Sequence, residues 1–232
     1  MTAARDTAAG TAKPVSIAVD DANSVSGLLQ VPTKALACYV MAHGAGAGMT
    51  HSFMASFAND LAERDIATLR YQFPYMERGS KRPDSPKLAH AAVRAAVGEA
   101  ARLCPRLALF AGGKSFGGRM TSQAQAASPL PGVRGLVFVG FPLHPPDKPA
   151  DERGAHLFQV QIPMLFLQGT RDELAELSLL RNLAVKLGAR ASLKLFDDAD
   201  HSFHVPARTG KKDPQIRAEM ADAMAEWMVK VA

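Results

Sequence analysis

The chain is poor in the features that would place it in a special structural class. Its 232 residues include only two cysteines, Cys38 and Cys104, with no Cys-x-x-Cys step. That excludes a disulfide-stapled scaffold and gives no zinc signature. Both cysteines lie in apolar sequence and are expected as buried free thiols in a reducing cytoplasm. No apolar run approaches the ~20 residues of a membrane helix. The opening "MTAARDTAAGTAK" lacks the roughly 7–15-residue apolar core of a secretory signal and reads as a mobile tail over residues 1–13. The net charge of +5 is dispersed, with tight groups only at "ERGSKRP" and "TGKKD". No aromatic residues interleave with them, so neither a nucleic acid nor a membrane is an expected partner.

What the chain does have is a regular alternation of apolar patterns. "VSIAV" and "GLLQV" flank a turn-rich segment and read as an antiparallel hairpin. "LACYVMAH" is a continuous apolar run, the mark of a strand buried on both faces. Thr50 to Glu63 places Phe53, Phe57 and Leu61 on one face of a helix, and "IATLRYQF" follows as a strand. "PYMERGSKRPDSP" reads as a loop. Lys87 to Leu103 is an Ala-rich helix ended by Pro105. "LALFA" feeds a Gly-rich turn and a helix to about Ala127. "GLVFVGFPL", "MLFLQGT" and "SLKLF" are further strands, "DELAELSLLRNLAVKLG" is a helix closed by Gly188, and the last helix spans about Asp213 to Val231. This order implies an α/β fold over residues 14–232: one domain, a mostly parallel central sheet with helices on both faces, and an N-terminal antiparallel hairpin. Function in such sheets gathers beyond the carboxyl ends of the strands.

The chemistry turns on "LALFAGGKSFGGRM". A Gly-Lys-Ser step after a strand suggests a phosphate loop, which requires Gly-x-x-x-x-Gly-Lys-Ser. The first of those glycines would fall at Ala108, and "LVFVGFPL" supplies no acid to help hold magnesium. Gly113-Lys114-Ser115-Phe116-Gly117 instead satisfies Gly-x-Ser-x-Gly in full. That pattern puts a serine on a sharp turn whose glycines let neighbouring backbone approach, with a helix start beyond it to stabilise an oxyanion.

A serine nucleophile needs a base, and the base needs an acid to orient it. Asp172 follows the strand "MLFLQGT", and His201 lies in "DDADHSFHVP" after the last strand. The chain order Ser115, Asp172, His201 is that of α/β-hydrolases. Glu173 competes with Asp172; His204, His51 and His144 compete with His201. Asp198 and Asp200 read as turn-shaping residues. In "HGAGAG", His43 reads as a structural residue, and the backbone N–H groups of Ala45 and Phe116 are the expected oxyanion donors, with Gly46 as substitute for Ala45. Lys114, Tyr75, Met76 and His144 are candidates for the substrate crevice, Lys114 being either a packed side chain or a contact for a substrate carboxylate.

Together "HGAGAG", "GGKSFGGR", "LFLQGTRDEL" and "DADHSFHVP" resemble the small α/β-hydrolases related to the dienelactone hydrolases, more narrowly a compact group with a Gly-Lys-Ser-x-Gly-Gly nucleophile elbow. The resemblance runs from about Val15 to the C-terminus. It implies the α/β-hydrolase fold and a serine hydrolase using Ser115, His201 and Asp172 with neither metal nor organic cofactor. Dienelactone hydrolases carry a cysteine nucleophile; the residue here is Ser115, so lactone chemistry does not carry over. The segment "HPPDKPADERGAHLFQVQIP", about twenty residues, is too short for a cap domain. An open crevice for a small acyl ester or thioester is expected. The same machinery serves acyl transfer or peptide cleavage, and the fold is also reused by interaction proteins. The pattern selects neither a particular acyl group nor an oligomeric state.

Overall fold

A computed structural model describes residues 10–232. Of the tail expected over residues 1–13, positions 1–9 lie outside the described residues, and Lys13 is already the first residue of a strand. Eight strands form one sheet: β1 (Lys13–Ala18), β2 (Ser24–Gln30), β3 (Ala37–Ala42), β4 (Ile66–Tyr71), β5 (Ala108–Lys114), β6 (Val133–Val139), β7 (Met164–Gly169) and β8 (Ala191–Phe196). Their spatial order is β1-β2-β4-β3-β5-β6-β7-β8. β1 pairs antiparallel with β2, and β2 antiparallel with β4; all other pairings are parallel.

Every residue of β3, β4 and β7 is buried, which is why these strands read as unbroken apolar runs rather than alternating ones. One face of the sheet carries α3 (Pro86–Leu103), α4 (Phe116–Ala127) and α5 (Leu177–Leu187). The other carries α1 (Ser52–Ala62) and α6 (Asp213–Val231). Ala92, Val93, Met120 and Leu180 fill the first layer of core; Phe57, Leu61, Met220 and Met224 fill the second.

Two elements differ from the sequence expectation, each for a local reason. The loop after β4 contains a short helix, α2 (Pro74–Glu77), opened by proline at its first position, where the missing N–H costs nothing. α5 begins only at Leu177, well after Asp172. The Asp172 carboxylate captures the Leu174 N–H at 2.8 Å, and His144 Nε2 captures the Glu176 N–H at 2.8 Å. Those donors are held out of a helical turn. Glu176 then caps α5, its side chain accepting from Ser178 N. Gly188, at φ 63°, ends the helix. The segment between β6 and β7 holds only a 3-10 turn at Glu152–Gln159, and among the described residues no cap domain stands over the sheet.

The strand order reverses beside β3: the chain steps from β3 to β4 on one side, then returns to place β5 on the other. At such a switch point the loops leaving adjacent parallel strands diverge and open a crevice. Ala42 at the end of β3 pairs with Gly113 near the end of β5. The segments beginning at His43 and at Ser115 therefore face each other across that crevice.

Candidate active site

Ser115 is the residue between β5 and α4, with φ 50° and ψ −115°. A non-glycine residue with positive φ costs of order 1–3 kcal/mol and persists only where its surroundings enforce it. Here the enforcement is close backbone packing. A Cβ on Gly113, itself at φ 150°, would lie 2.2 Å from Ala42 O, and one on Gly117 would lie 2.6 Å from the carbonyl oxygens of Ala42 and His43. Only glycines at these two positions let β5 and α4 pass so near the end of β3, and the turn between them is forced tight.

The hydroxyl of Ser115 lies 2.9 Å from His201 Nε2, and His201 Nδ1 lies 2.7 Å from Asp172 Oδ2. A carboxylate only accepts. Nδ1 therefore bears the ring proton, and Nε2 is the acceptor facing the serine hydroxyl. The Asp172 side chain is fully buried, while that of His201 is 20% exposed. Asp172 Oδ2 also accepts from Gln168 Nε2 at 2.5 Å, and Oδ1 from Leu174 N. Gln168 is held in turn, its Oε1 accepting from Phe141 N at 2.8 Å. The sequence marks it only as a glutamine at the end of the apolar run "MLFLQG", where a buried polar side chain must have partners. Three donors on one buried carboxylate fix its orientation, and with it the plane of the imidazole.

On the other side of the crevice, His43 has a backbone-bracing role. Its Nε2 accepts from Phe73 N at 3.0 Å, so Nδ1–H donates to Gly44 O at 2.8 Å. Burial holds its pKa below the usual histidine range, which keeps the ring neutral and able to accept. Tyr75 Oη accepts from the Gly46 N–H at 3.1 Å. The Gly46 N–H is thus engaged, whereas the N–H groups of Ala45 and Phe116 donate to no protein group among the described residues. Phe116 is the first residue of α4, where N–H groups have no intrahelical partner and the helix dipole is positive.

A cleft of about 690 Å³ opens over Ser115 and His201. Ala45, Phe53, Met54, Lys114, Leu174 and Phe203 line it. Of the four crevice candidates, only Lys114 does so. Tyr75 is buried behind the 43–49 loop. Met76 packs against the core beside it, because α2 turns both side chains inward. His144 is also buried, with Nδ1–H donating to Pro145 O and Nε2 accepting from Glu176 N, and it braces the β7–α5 connection. His51 and His204 line the cleft without touching Ser115 or Asp172: His51 caps α1, and His204 pairs with Asp213. Phe203 and Phe53, stacked with centroids 6.3 Å apart, form an apolar wall. Phe53 reads in the sequence only as part of a helix's core face. Asp200 shapes the histidine loop, its Oδ1 accepting from Ser202 N and His204 N. Among the described residues, no group of three or more His, Cys, Asp or Glu is placed to hold a metal ion, and no helix is long and apolar enough to cross a membrane.

Chemically, this arrangement can remove a proton from a serine hydroxyl, hold the resulting imidazolium against a buried carboxylate, and offer two free N–H groups to a developing oxyanion.

Solved structures with the same fold are numerous. A dienelactone hydrolase from Anabaena variabilis superposes with a TM-score of 0.76 over 95% of this chain and 98% of its own, at 20% identity. An alpha-beta serine hydrolase homologue from Coxiella burnetii gives 0.73 over 93% and 97%, at 17% identity. A serine hydrolase without lid from Xanthomonas campestris gives 0.71 over 94% and 95%, at 18% identity. The family model of the alpha/beta hydrolase domain matches residues 35–229. The chain therefore belongs to the alpha/beta hydrolase domain family.

Proposed function

We propose that this protein is a serine hydrolase that cleaves a small acyl ester or thioester through an acyl-enzyme on Ser115. The observation that carries the reading is the continuous hydrogen-bonded chain from the Ser115 hydroxyl through His201 to the buried Asp172 carboxylate, on a serine held at positive φ beside the start of α4. In the first step the Ser115 oxygen attacks the acyl carbonyl carbon while its proton passes to His201 Nε2. The carbonyl oxygen becomes an oxyanion facing the N–H groups of Ala45 and Phe116. His201 then returns the proton to the departing alcohol or thiol. Water, deprotonated by the same imidazole, attacks the acyl-enzyme and releases the acid. Asp172 stays ionised throughout and stabilises the imidazolium.

The open cleft and the lack of a covering domain support short acyl groups over long ones. The two free, buried thiols support a reducing compartment such as the cytoplasm. The test is intact-mass measurement after treatment with a fluorophosphonate. The expected outcome is one adduct per chain in the wild type and none in Ser115→Ala. A folded wild type that takes up no label would refute the reading. In a subsequent screen, acetyl and butyryl esters should turn over faster than long-chain esters; equal rates would contradict the assignment of small substrates.

A further inference from the structure

Lys114 immediately precedes the serine, at the end of β5, yet its ammonium does not point into solvent. Nζ donates to the backbone carbonyl of His201 at 2.5 Å and stands 5.5 Å from the centroid of the Phe203 ring. Space for this path is left by Gly140 after β6: a Cβ there would lie 3.1 Å from Lys114 Nζ and 3.4 Å from His201 Nδ1 and Cε1. A single side chain thus spans from the strand that carries the nucleophile to the backbone of the base.

We infer that Lys114 is a positioning residue for the Ser115–His201 pair, its ammonium holding the His201 carbonyl so that the imidazole stays at bonding distance from the serine hydroxyl. The inference rests on the serine-hydrolase reading above. The loop that carries His201 is fastened on both sides of it, by Asp198 N to Thr170 Oγ1 and Arg171 N to Ala199 O before the histidine and by the Asp200 side-chain bonds to Ser202 N and His204 N after it. Among the described residues, though, the backbone of His201 itself has no hydrogen bond other than the one from Lys114. Asp172 fixes the ring from one edge only. A loop residue tied at its ring but not at its backbone can tilt the imidazole about the Nδ1 bond, and a displacement near 1 Å costs on the order of 100-fold in rate. The Lys114 bond removes that freedom, and as a charge-assisted hydrogen bond it is stronger than a neutral one.

The charged and titratable groups facing Lys114 are Asp172 from the loop after β7, and Asp200 and His201 from the loop after β8. Burial lowers the Lys114 pKa to about 8, with Asp172 and Asp200 opposing the shift. The ammonium is therefore the main form at neutral pH and is lost just above it; the neutral amine is a poorer donor. The sign for stability is opposite to that for function. Since the native pKa lies below the unfolded value of 10.5, the unfolded chain binds more protons between about 8 and 10.5, and stability rises with pH across that window.

The experiment compares wild type with Lys114→Met, which keeps the apolar stem. Fluorophosphonate labelling rates are measured from about pH 6 to about pH 9.5, with thermal melting and the NMR signal of the His201 Nδ1 proton. The wild-type rate is expected to fall above about pH 8, and Lys114→Met to label at least about tenfold more slowly at pH 7 with no such alkaline fall. The variant should still melt cooperatively, and its Nδ1 signal should shift or broaden. Wild-type rates and an unchanged signal in the variant would overturn the inference. So would slow labelling with an unchanged Nδ1 signal, which would show that Lys114 does not act through the imidazole. A wild type that never labels would retire the hydrolase reading instead, and the Nδ1 signal would then decide the positioning role by itself.

Discussion

Two serine–histidine pairs lie along the same helix, and only one has the surroundings that the proposed acyl chemistry requires. Ser115, at the start of α4, meets His201 at 2.9 Å. Ser122, in the middle of α4, lies still closer to His156, at 2.7 Å. The second pair is deeper in the protein, with Ser122 fully buried. It lacks three things the first pair has. No carboxylate bonds to His156 among the described residues; its neighbours are Arg119 and His90, and these, after burial, push its pKa down to about 4. The Ser122 hydroxyl also has the Arg119 carbonyl within 2.9 Å as a competing acceptor. And Ser122 sits inside regular helix, where the backbone N–H groups are spent on helical bonds. Under the proposed function, contact between a hydroxyl and an imidazole is insufficient for nucleophilic chemistry. The acid, the strained turn and the oxyanion donors make the difference.

The sharpest way to break this comparison is to remove each serine. Ser115→Ala should abolish fluorophosphonate labelling and ester turnover, whereas Ser122→Ala should label at the wild-type rate. Labelling that followed Ser122 would invert the assignment. Next in size is Asp172→Asn. An amide at this position can donate to Nδ1 and would favour the wrong tautomer; kcat should fall by about 10⁴ while the protein stays folded. A kcat within tenfold of wild type would mean that Asp172 does not orient the base.

A smaller effect is expected behind the oxyanion loop. Tyr75→Phe removes the acceptor of the Gly46 N–H, and a lost, partly buried hydrogen bond is worth about 1 kcal/mol, or roughly fivefold. That loss should appear in kcat/KM, with KM little changed; an unchanged kcat/KM would show that the loop needs no such brace.

The smallest effect concerns the inert pair and should spare activity altogether. The His156 pKa is depressed in the folded state from 6.5 to about 4. The unfolded chain therefore binds more protons between those values. The contribution of neutral His156 is complete above about pH 6.5 and is lost as pH falls toward about 4. His156→Gln should flatten the decline of melting temperature with pH across that window and leave labelling unchanged. An equally steep decline in the variant would place the acid sensitivity elsewhere.

Much of this was legible in the chain because strands buried on both faces leave long apolar runs, and the polar residue that ends such a run is conspicuous. Ser115, Asp172 and His201 each follow a strand, beyond the carboxyl ends of the strands where loops converge. Gln168 was less visible, because a single glutamine at a strand end carries no mark of what it will bond. The start of α5 was misplaced because helical periodicity continues through residues whose N–H groups are captured by Asp172 and His144, contacts made from distant parts of the chain. Tyr75, Met76 and His144 were expected in the crevice for the same reason: loop position says that a side chain is near a site, not which way it points.

Local chemistry in the sequence thus determined the strand and helix order and the glycines that permit a tight turn. It also determined which polar residues stand at strand ends. These depend on nearest neighbours and on periodic burial. Only the tertiary structure decided that His201 meets Ser115 and Asp172 while His156 meets Ser122. It alone decided that Tyr75 engages the Gly46 N–H, and that Lys114 reaches back to the backbone of the histidine. Those outcomes depend on sub-ångström precision between segments separated by up to 87 positions in the chain, as in the Lys114 bond to His201 O. No local pattern encodes such a distance, because it is set by how the sheet twists and how its two faces pack.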